Sequence, residues 1–323
     1  MARLNFSLEV GNILPWSQIR QAALAMDGGR WRGLWTYDPL LPCTAEELPL
    51  TVSSVEACES SPIFEGWTLL AALATLTQRL RLGTMVTAAT MRHPALLAKI
   101  AITVDHISGG RVDLGLGTGW HEHEHEAFGI PLGSVKTRCL RFGEYAALLS
   151  RLLNGPYPIT WKGDFFQLKE APFAPAPYQR PLPLLLAGGG EKRILPVVAR
   201  YAQACNLYAN VFSSVEELRH KLEVLEGYCQ ELGRDYKEIR KTVTLYADII
   251  DDPQAARQAR RHLGQHLYDE EAEALPLGEP SRIIDAVGPL LALGVDEVVF
   301  NGPDPTPEKI ERLDSEVLAH FTS

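Results

Sequence analysis

RVDLGLGTGWHEHEHEAFG, residues Arg111 to Gly129, admits two readings that lead to different molecules. In one, Val112–Gly117 is a buried strand of a parallel sheet and the Gly-Thr-Gly turn after it is the rim of a ligand pocket. In the other, His121, Glu122 and His125 form His-Glu-x-x-His, two histidines one helical turn apart with a glutamate able to polarise a metal-bound water. The context favours the strand. A zinc helix needs an apolar face and a third protein ligand downstream, whereas this run starts directly after Gly119 and is broken by Gly129 and Pro131. Glu122, Glu124 and Glu126 then read as a solvated first helical turn complementing the positive end of the dipole. No metal is expected.

On either side of this stretch, β-rich apolar runs alternate with amphipathic segments of helical length, the pattern of parallel strands joined by crossover helices. Strands are expected at Leu4–Val10, Gly33–Tyr37, Leu80–Thr87, Val112–Gly117, Leu182–Ala187, Ala204–Tyr208, Lys241–Ile249 and Val295–Asn301. Helices are expected at Ser17–Asp27, Trp67–Thr77, Pro94–Ser108, Thr137–Leu153, Glu191–Tyr201, Val215–Leu232, Pro253–Leu267, Ser281–Leu293 and Pro307–His320. Eight strands with interleaved helices point to an α/β fold, a (β/α)8 TIM barrel formed as one domain over residues 1–323, with an open doubly wound sheet as the weaker alternative. Two segments interrupt the alternation: 39–66, proline-containing and acidic, after the second strand, and 154–181, between strands four and five. The second contains ITWKGDFFQL, which reads as a short hairpin. Both are expected to be lid insertions, because segments that follow barrel strands build the active face.

Bulk properties set outer bounds. The chain has 323 residues, 46% of them hydrophobic, enough for a large core. The formal charge of -9, with no basic stripe, argues against nucleic-acid or anionic-membrane partners. The five cysteines, at 43, 58, 139, 205 and 229, are scattered and never in C-x-x-C spacing, which fits reduced thiols in the cytoplasm. No charged leader with an apolar core opens the chain, and no window offers about 20 uncharged apolar residues. A soluble cytoplasmic protein that acts on a small molecule is expected.

Glycines mark two ligand rims. Gly117, Thr118 and Gly119 end a buried strand, where glycine lets the backbone approach a flat ring and Thr118 offers a hydroxyl. Gly188, Gly189 and Gly190 follow a strand ending at Ala187 and open onto a helix expected to start near Glu191, so backbone N–H groups and the helix dipole would face an anion such as phosphate. Lys192 and Arg193 could add positive charge or point to solvent. The first rim could also be no more than a tight strand-to-helix turn.

The run LRLGTMVTAATMRHPALLAKIAITVDHISGGRVDLGLGTGW, Leu80 to Trp120, together with LLLAGGGEKR, Leu184 to Arg193, resembles the bacterial luciferase-like flavin and deazaflavin oxidoreductases. GLWTYDPLLP at Gly33–Pro42, EGWTLLAALA at Glu65–Ala74 and AFGIP at Ala127–Pro131 are weaker echoes. The resemblance implies a (β/α)8 barrel, a homodimer, and a tricyclic cofactor at the barrel mouth. It implies a backbone bulge at Met85 and Val86, sometimes with a non-prolyl cis peptide, supporting the ring from behind. Thr87 and Thr90 then become polar contacts to the ring edge, and Asp38 is the acidic residue beside the ring. The cofactor-binding set implied is Asp38, Met85, Val86, Thr87, Gly117, Thr118, Gly119, Trp120, Ala187, Gly188, Gly189 and Gly190.

Two departures from the family pattern bear on the chemistry. Relatives with an acid–base partner carry His directly after the acidic residue, where this chain has Pro39, and the sugar-phosphate dehydrogenases of the family use Glu where this chain has Trp120. Trp120 suits a cofactor face better than proton transfer. Asp38 and His121 remain as candidate catalytic residues. Trp120 with the following acidic-basic helix resembles the branch that uses the deazaflavin F420 for hydride transfer, with FMN and monooxygenation as the alternative. A barrel that binds cofactor without catalysis is a further reading, motivated by Pro39. Phe64 and Trp67 near the first insertion would suit a partly apolar substrate.

Overall fold

A computed structural model describes residues 4–42, 62–208, 214–263, 275–302 and 305–322. Its principal sheet contains β1 (Asn5–Glu9), β2 (Gly33–Thr36), β3 (Arg81–Thr84), β4 (Thr87–Ala88) and β5 (Val112–Gly117). A peripheral hairpin of β6 (Ile159–Lys162) and β7 (Gln167–Ala171) follows, then β8 (Leu184–Ala187), β9 (Ala204–Tyr208), β10 (Arg240–Tyr246), the small pair β11 (Asp248–Ile249) and β12 (Leu277–Gly278), and β13 (Glu297–Asn301). Strand order runs β3-β2-β1-β13-β10-β9-β8-β5, all parallel, and β3 also pairs with β5. The sheet therefore closes on itself as the expected eight-stranded (β/α)8 barrel.

Each barrel strand alternates between two cores, the consequence of a side-chain period of two. In β1, Phe6 and Leu8 face the surrounding helices, where Phe6 stacks on Phe300 at 5.7 Å, while Ser7 points into the lumen and bonds Glu297 at 2.6 Å. The helices supply complementary faces: Ile19, Ala22 and Met26 from α1 (Trp16–Gly28) and Leu97, Ala101 and Ile102 from α3 (Pro94–Ser108) are fully buried. Between them, α2 (Gly66–Leu76) starts at Glu65, whose carboxylate accepts the Thr68 N–H.

The lumen is filled in layers. At the N-terminal ends of the strands Asp113 and Glu297 meet Arg32, Arg81 and Arg240: Arg81 Nε lies 2.8 Å and Arg240 Nη2 3.2 Å from Asp113, and Arg32 Nε and Arg240 Nε lie 3.0 and 3.1 Å from Glu297. Burial pushes the Asp113 carboxyl up, but Arg240 and Arg81 more than offset it and hold it down at about 2. Above this plug Trp35 packs with Leu185, Ala204 and Val299. Gly83 makes room for the indole, since a Cβ there would stand 2.5 Å from the Trp35 ring. Gly115 is tighter still, with an added Cβ only 1.9 Å from the Thr84 carbonyl oxygen. Gly115→Ala is accordingly expected to destabilise the protein by about 3 kcal/mol or more, because β3 and β5 must part where the barrel closes. Urea unfolding measures this directly, and a loss under 1 kcal/mol would contradict the packing described.

Several expected elements change at their ends. Leu80–Thr87 divides into β3 and β4 around a cis peptide between Met85 and Val86, the bulge that the resemblance implied. Lys241–Ile249 divides into β10 and β11. The helix expected from Glu191 starts at Leu195, as α6 (Leu195–Tyr201) following α4 (Glu122–Ala127) and α5 (Val135–Asn154). Residues 191–194 form turns because the Gly190 carbonyl accepts from Arg193, Ile194 and Leu195 together. Most of the first insertion, residues 43–61, lies outside the described residues, as do 264–267 at the end of an expected helix.

In the second insertion the hairpin forms as expected. Glu144 of α5 organises its turn by accepting the N–H groups of Asp164, Phe165 and Phe166, each at 2.9 Å. The segment beyond it lies against the barrel flank: the Ala176 carbonyl bonds His106, and Tyr178 and Gln179 bond Asp105 near the C-terminal end of α3. Gln179 also bonds Arg81 and the Val112 carbonyl, at the strand ends opposite the active face of a barrel. Proline-rich backbone without its own ladder is satisfied there by side chains of one helix, α3.

Candidate functional site

β5 and β8 are neighbours, with Leu116 opposite Leu186, so the Gly117–Gly119 and Ala187–Gly190 turns emerge side by side at the C-terminal end of the barrel. This is the end on which barrel enzymes build their sites. Gly119 (φ 84°) and Gly188 (φ 129°) occupy backbone conformations that side chains disfavour. A Cβ on Gly117 would stand 2.6 Å from Val86 Cγ2, which places the Met85–Val86 bulge against the first rim. The bulge is tied to β2 by the Met85 N–H on the Thr36 carbonyl at 2.9 Å. Met85, Val86, Thr118 and Ala187 are half-buried and Trp120 is 46% exposed, stacked on the His121 ring at 5.1 Å.

In the second rim only the Gly188 N–H is used internally, on the Asn206 carbonyl at 3.1 Å. Among the described residues, the N–H groups of Gly189, Gly190, Glu191 and Lys192 have no protein acceptor. The anion-binding capacity is thus that of a glycine turn, not of the helix end expected from the sequence. Glu191 pairs with Lys221 at 2.6 Å, and Lys192 and Arg193 are exposed.

Asp38 is buried beside this mouth with both carboxylate oxygens engaged. Arg92 holds it bidentately at 2.6 and 2.9 Å, and the Thr87 hydroxyl donates to it at 2.6 Å. Thr87 in turn accepts from Trp67 Nε1 at 2.8 Å, and Arg92 also bonds Glu65 at the head of α2. Burial pushes Asp38 up to about 6 against the pull of Arg92 and Thr87, so at neutral pH it remains an anion. Thr87 is fully buried, and its hydroxyl orients Asp38 from behind the mouth.

The His-Glu helix departs from its expected solvated form. Glu122, His123, Glu126 and Ala127 face outward, while His121, Glu124 and His125 are 2 to 3% exposed. Glu124 takes the backbone N–H of Leu40, pinning the chain after β2. His125 Nδ1 lies 2.7 Å from the His121 carbonyl, which requires the proton on that nitrogen, and Nε2 lies 2.8 Å from the Thr90 hydroxyl. Both nitrogens are therefore spent on protein groups. Among the described residues no three His, Cys, Asp or Glu side chains converge on a common point, and no helix is long and apolar enough to cross a membrane.

A second cluster was missed at the sequence level. Glu9, at the end of β1, is 3% exposed and opposite Asn301 of β13, whose amide donates to Glu9 Oε2 at 2.7 Å. The Tyr37 hydroxyl donates to Asn301 Oδ1 at 3.1 Å. Burial raises Glu9 to about 8, with Tyr37 pulling the other way. The signal was present in LNFSLEV: a carboxylate in phase with Asn5 and Ser7, on a strand whose other face, Phe6 and Leu8, is apolar.

Comparison with known proteins agrees with this architecture. The family profile described as luciferase-like monooxygenase matches residues 49–287. Pyrimidine monooxygenase RutA of Stutzerimonas stutzeri is 32% identical over 67% of the chain, which spans 58% of that relative's length. The F420-dependent glucose-6-phosphate dehydrogenase of Amycolatopsis mediterranei is 26% identical over 75% of this chain and 80% of its own. The F420-dependent tetrahydromethanopterin reductase of Methanopyrus kandleri superposes with a TM-score of 0.78 over 99% of this chain and all of its own, at 19% identity. The chain belongs to the luciferase-like monooxygenase family, a family of F420- or flavin-dependent oxidoreductases and monooxygenases.

Proposed function

We propose that this protein is an F420-dependent oxidoreductase that moves hydride between the deazaflavin and a small organic substrate. The observation that carries this reading is the adjacency of the two glycine rims around the Met85–Val86 bulge at the barrel's C-terminal end. The residues fit such a group: one rim lets backbone come close to a planar face, and the other presents N–H donors without protein acceptors. Met85, Val86, Gly117, Thr118, Gly119 and Trp120 would hold the ring, and Ala187, Gly188, Gly189 and Gly190 the anionic tail. Bound there, the cofactor supplies two-electron hydride chemistry. The protein's own part is to orient the ring, exclude water with Trp120 and keep the Asp38–Arg92 pair fixed at its edge.

The relative of which the chain covers the larger share is named for F420, which supports the deazaflavin. Flavin mononucleotide is the competing cofactor, favoured by the higher identity to a monooxygenase. Titrating the protein separately with each, followed by absorption and fluorescence, is expected to show F420 bound at least tenfold more tightly. Gly190→Asp, which sets a carboxylate beside the donors, is expected to weaken F420 binding about tenfold, or 1.4 kcal/mol. Tighter binding of flavin mononucleotide would overturn the cofactor assignment, and an unchanged affinity in the variant would overturn the anion cradle.

A further inference from the structure

Neither candidate catalytic residue has free reach into the mouth. Asp38 is locked by Arg92 and Thr87, and His121 is 3% exposed beneath Trp120. The reaction proposed above nevertheless needs a proton whenever hydride moves at a carbon that bears oxygen. A hydroxyl at the first glycine rim, backed by a buried histidine, can supply it.

The chain after β4 runs alongside that rim. Ala88 lies opposite Gly117, the Ala89 N–H donates to the Gly117 carbonyl at 2.9 Å, and the next residue, Thr90, meets Gly119. A Cβ on Gly119 would stand 2.7 Å from Thr90 Oγ1, so glycine leaves that face of the hydroxyl uncovered, and Thr90 keeps exposed surface. Behind it lies His125, 2% exposed, with Nε2 2.8 Å from the hydroxyl and Nδ1 2.7 Å from the His121 carbonyl.

A carbonyl only accepts, so Nδ1 carries a proton in both the neutral and the charged ring, and the two forms differ at Nε2 alone. In the neutral ring Nε2 accepts and the Thr90 proton points inward. In the imidazolium Nε2 donates and the Thr90 proton is turned toward the rim. Both arrangements use the same heavy-atom positions, so a proton can pass between His125 and the mouth through Thr90 while both side chains stay in place. Among the described residues, the charged group facing the ring from its own helix is Glu124, with Oε2 4.0 Å from Nδ1, and His121 stands beyond it. The segment after β4 brings Arg92, which is held by Asp38 and Glu65.

We infer that Thr90 is the proton donor at the mouth and that His125 is the buried group that reloads it, for reduction of a carbonyl substrate. This rests on the hydride-transfer reading above. The carbonyl carbon gains hydride, two electrons and one proton, from the reduced deazaflavin as the C=O π bond opens. The substrate oxygen forms an O–H bond as that of Thr90 breaks, and the threonine oxygen takes the Nε2 proton of His125, leaving a neutral ring. Water that enters after product release returns a proton along the same path. A carbonyl suits this donor because its alkoxide and the threonine hydroxyl are groups of like acidity, so the exchange between them is nearly balanced and the imidazolium supplies the driving force. Thr90 is the catalytic residue here, and His125 acts through it.

The first test needs no cofactor. Nitrogen-15 spectra of the histidine rings are expected to show one ring, absent in His125→Gln, whose neutral form carries its proton on Nδ1 and which gains the second on Nε2 when the folded protein is acidified. A neutral form protonated on Nε2 overturns the relay. The second test follows reoxidation of saturating reduced F420 by cyclohexanone, whose rate is expected to fall as pH rises in the wild type. Thr90→Val keeps the side-chain shape and removes the hydroxyl. It should slow the reaction about 100-fold, within the range of general acid catalysis, and Thr90→Ser should recover most of that loss. His125→Gln should lower the rate and flatten its pH dependence. A Thr90→Val variant with the wild-type rate overturns the donor, and an unchanged pH profile in His125→Gln overturns the reservoir. F420 binding without reoxidation by cyclohexanone overturns the carbonyl assignment. Failure to bind F420 defeats the hydride-transfer reading itself, and is distinguished from the others because the histidine spectrum would still show the Nδ1 proton.

Discussion

Asp113→Asn is expected to cost about 3–5 kcal/mol of stability at pH 7, the magnitude seen when one partner of a buried ion cluster is neutralised. The isosteric amide leaves packing unchanged but faces Arg81, Arg240 and Arg32 without a charge, and Asp113 is only 1% exposed. Glu297 alone then has to balance three guanidinium groups. The pH dependence carries a definite sign. Because the folded carboxyl titrates at about 2, below its ordinary 3.8, its stabilisation is fully present above 3.8 and is lost as pH falls toward 2. The gap between wild type and variant should therefore be wide at pH 7 and narrow at pH 3. Urea unfolding at the two values measures it, and equal gaps would show that charge is not what Asp113 contributes. The plug sits at the end of the barrel away from the glycine rims, so the folded variant is expected to keep the wild-type affinity for cofactor.

Arg92→Met is expected to have a comparable effect with the opposite pH signature. Methionine retains much of the apolar stem but leaves Asp38, 3% exposed, with only the Thr87 hydroxyl as a donor among the described residues. In the wild type Asp38 titrates at about 6, above its ordinary 3.8. Folding thus binds a proton between those values, and stability contributed through this group declines as pH rises across that window. Without Arg92 the folded carboxyl titrates higher, the window extends upward, and the deficit should grow from pH 5 to pH 8, reaching about 3–5 kcal/mol. A deficit equal at both pH values would mean that packing, not charge, accounts for Arg92. Adding Asp38→Asn to the variant should recover part of the loss at pH 8. Because Thr87 and Trp67 are bonded into the same cluster, cofactor binding is expected to weaken in Arg92→Met, unlike in Asp113→Asn.

The barrel was legible because its strands and helices are written in local periodicity. LEVG, TMVTAAT and LLLAGGG each end an apolar run in small residues, and a parallel sheet with crossover helices is the arrangement that buries all such runs together. The two glycine rims were legible for the same reason, since glycine after a strand marks a place where backbone must turn or approach. Less local features were misjudged. His121, Glu124 and His125 look like a solvated turn in one dimension, and only the chain after β2, crossing at Leu40, buries them. Which end of α3 the segment after the hairpin meets was not legible either, because proline content carries no such information.

By itself, then, the amino-acid order determined the alternation of elements, the closed parallel sheet, and the glycine turns at the strand ends, all of which follow from interactions within a few residues. Only the tertiary structure decided which polar groups meet inside the lumen. Glu9 and Asn301 are 292 positions apart yet lie directly opposite on neighbouring strands, and Asp38 finds Arg92 54 residues later. Such pairings are set by register and barrel closure. In a dry lumen they fix the charge state of each group, because a buried carboxyl is stable only as an acid or beside a cation. The first condition holds at Glu9, the second at Asp113.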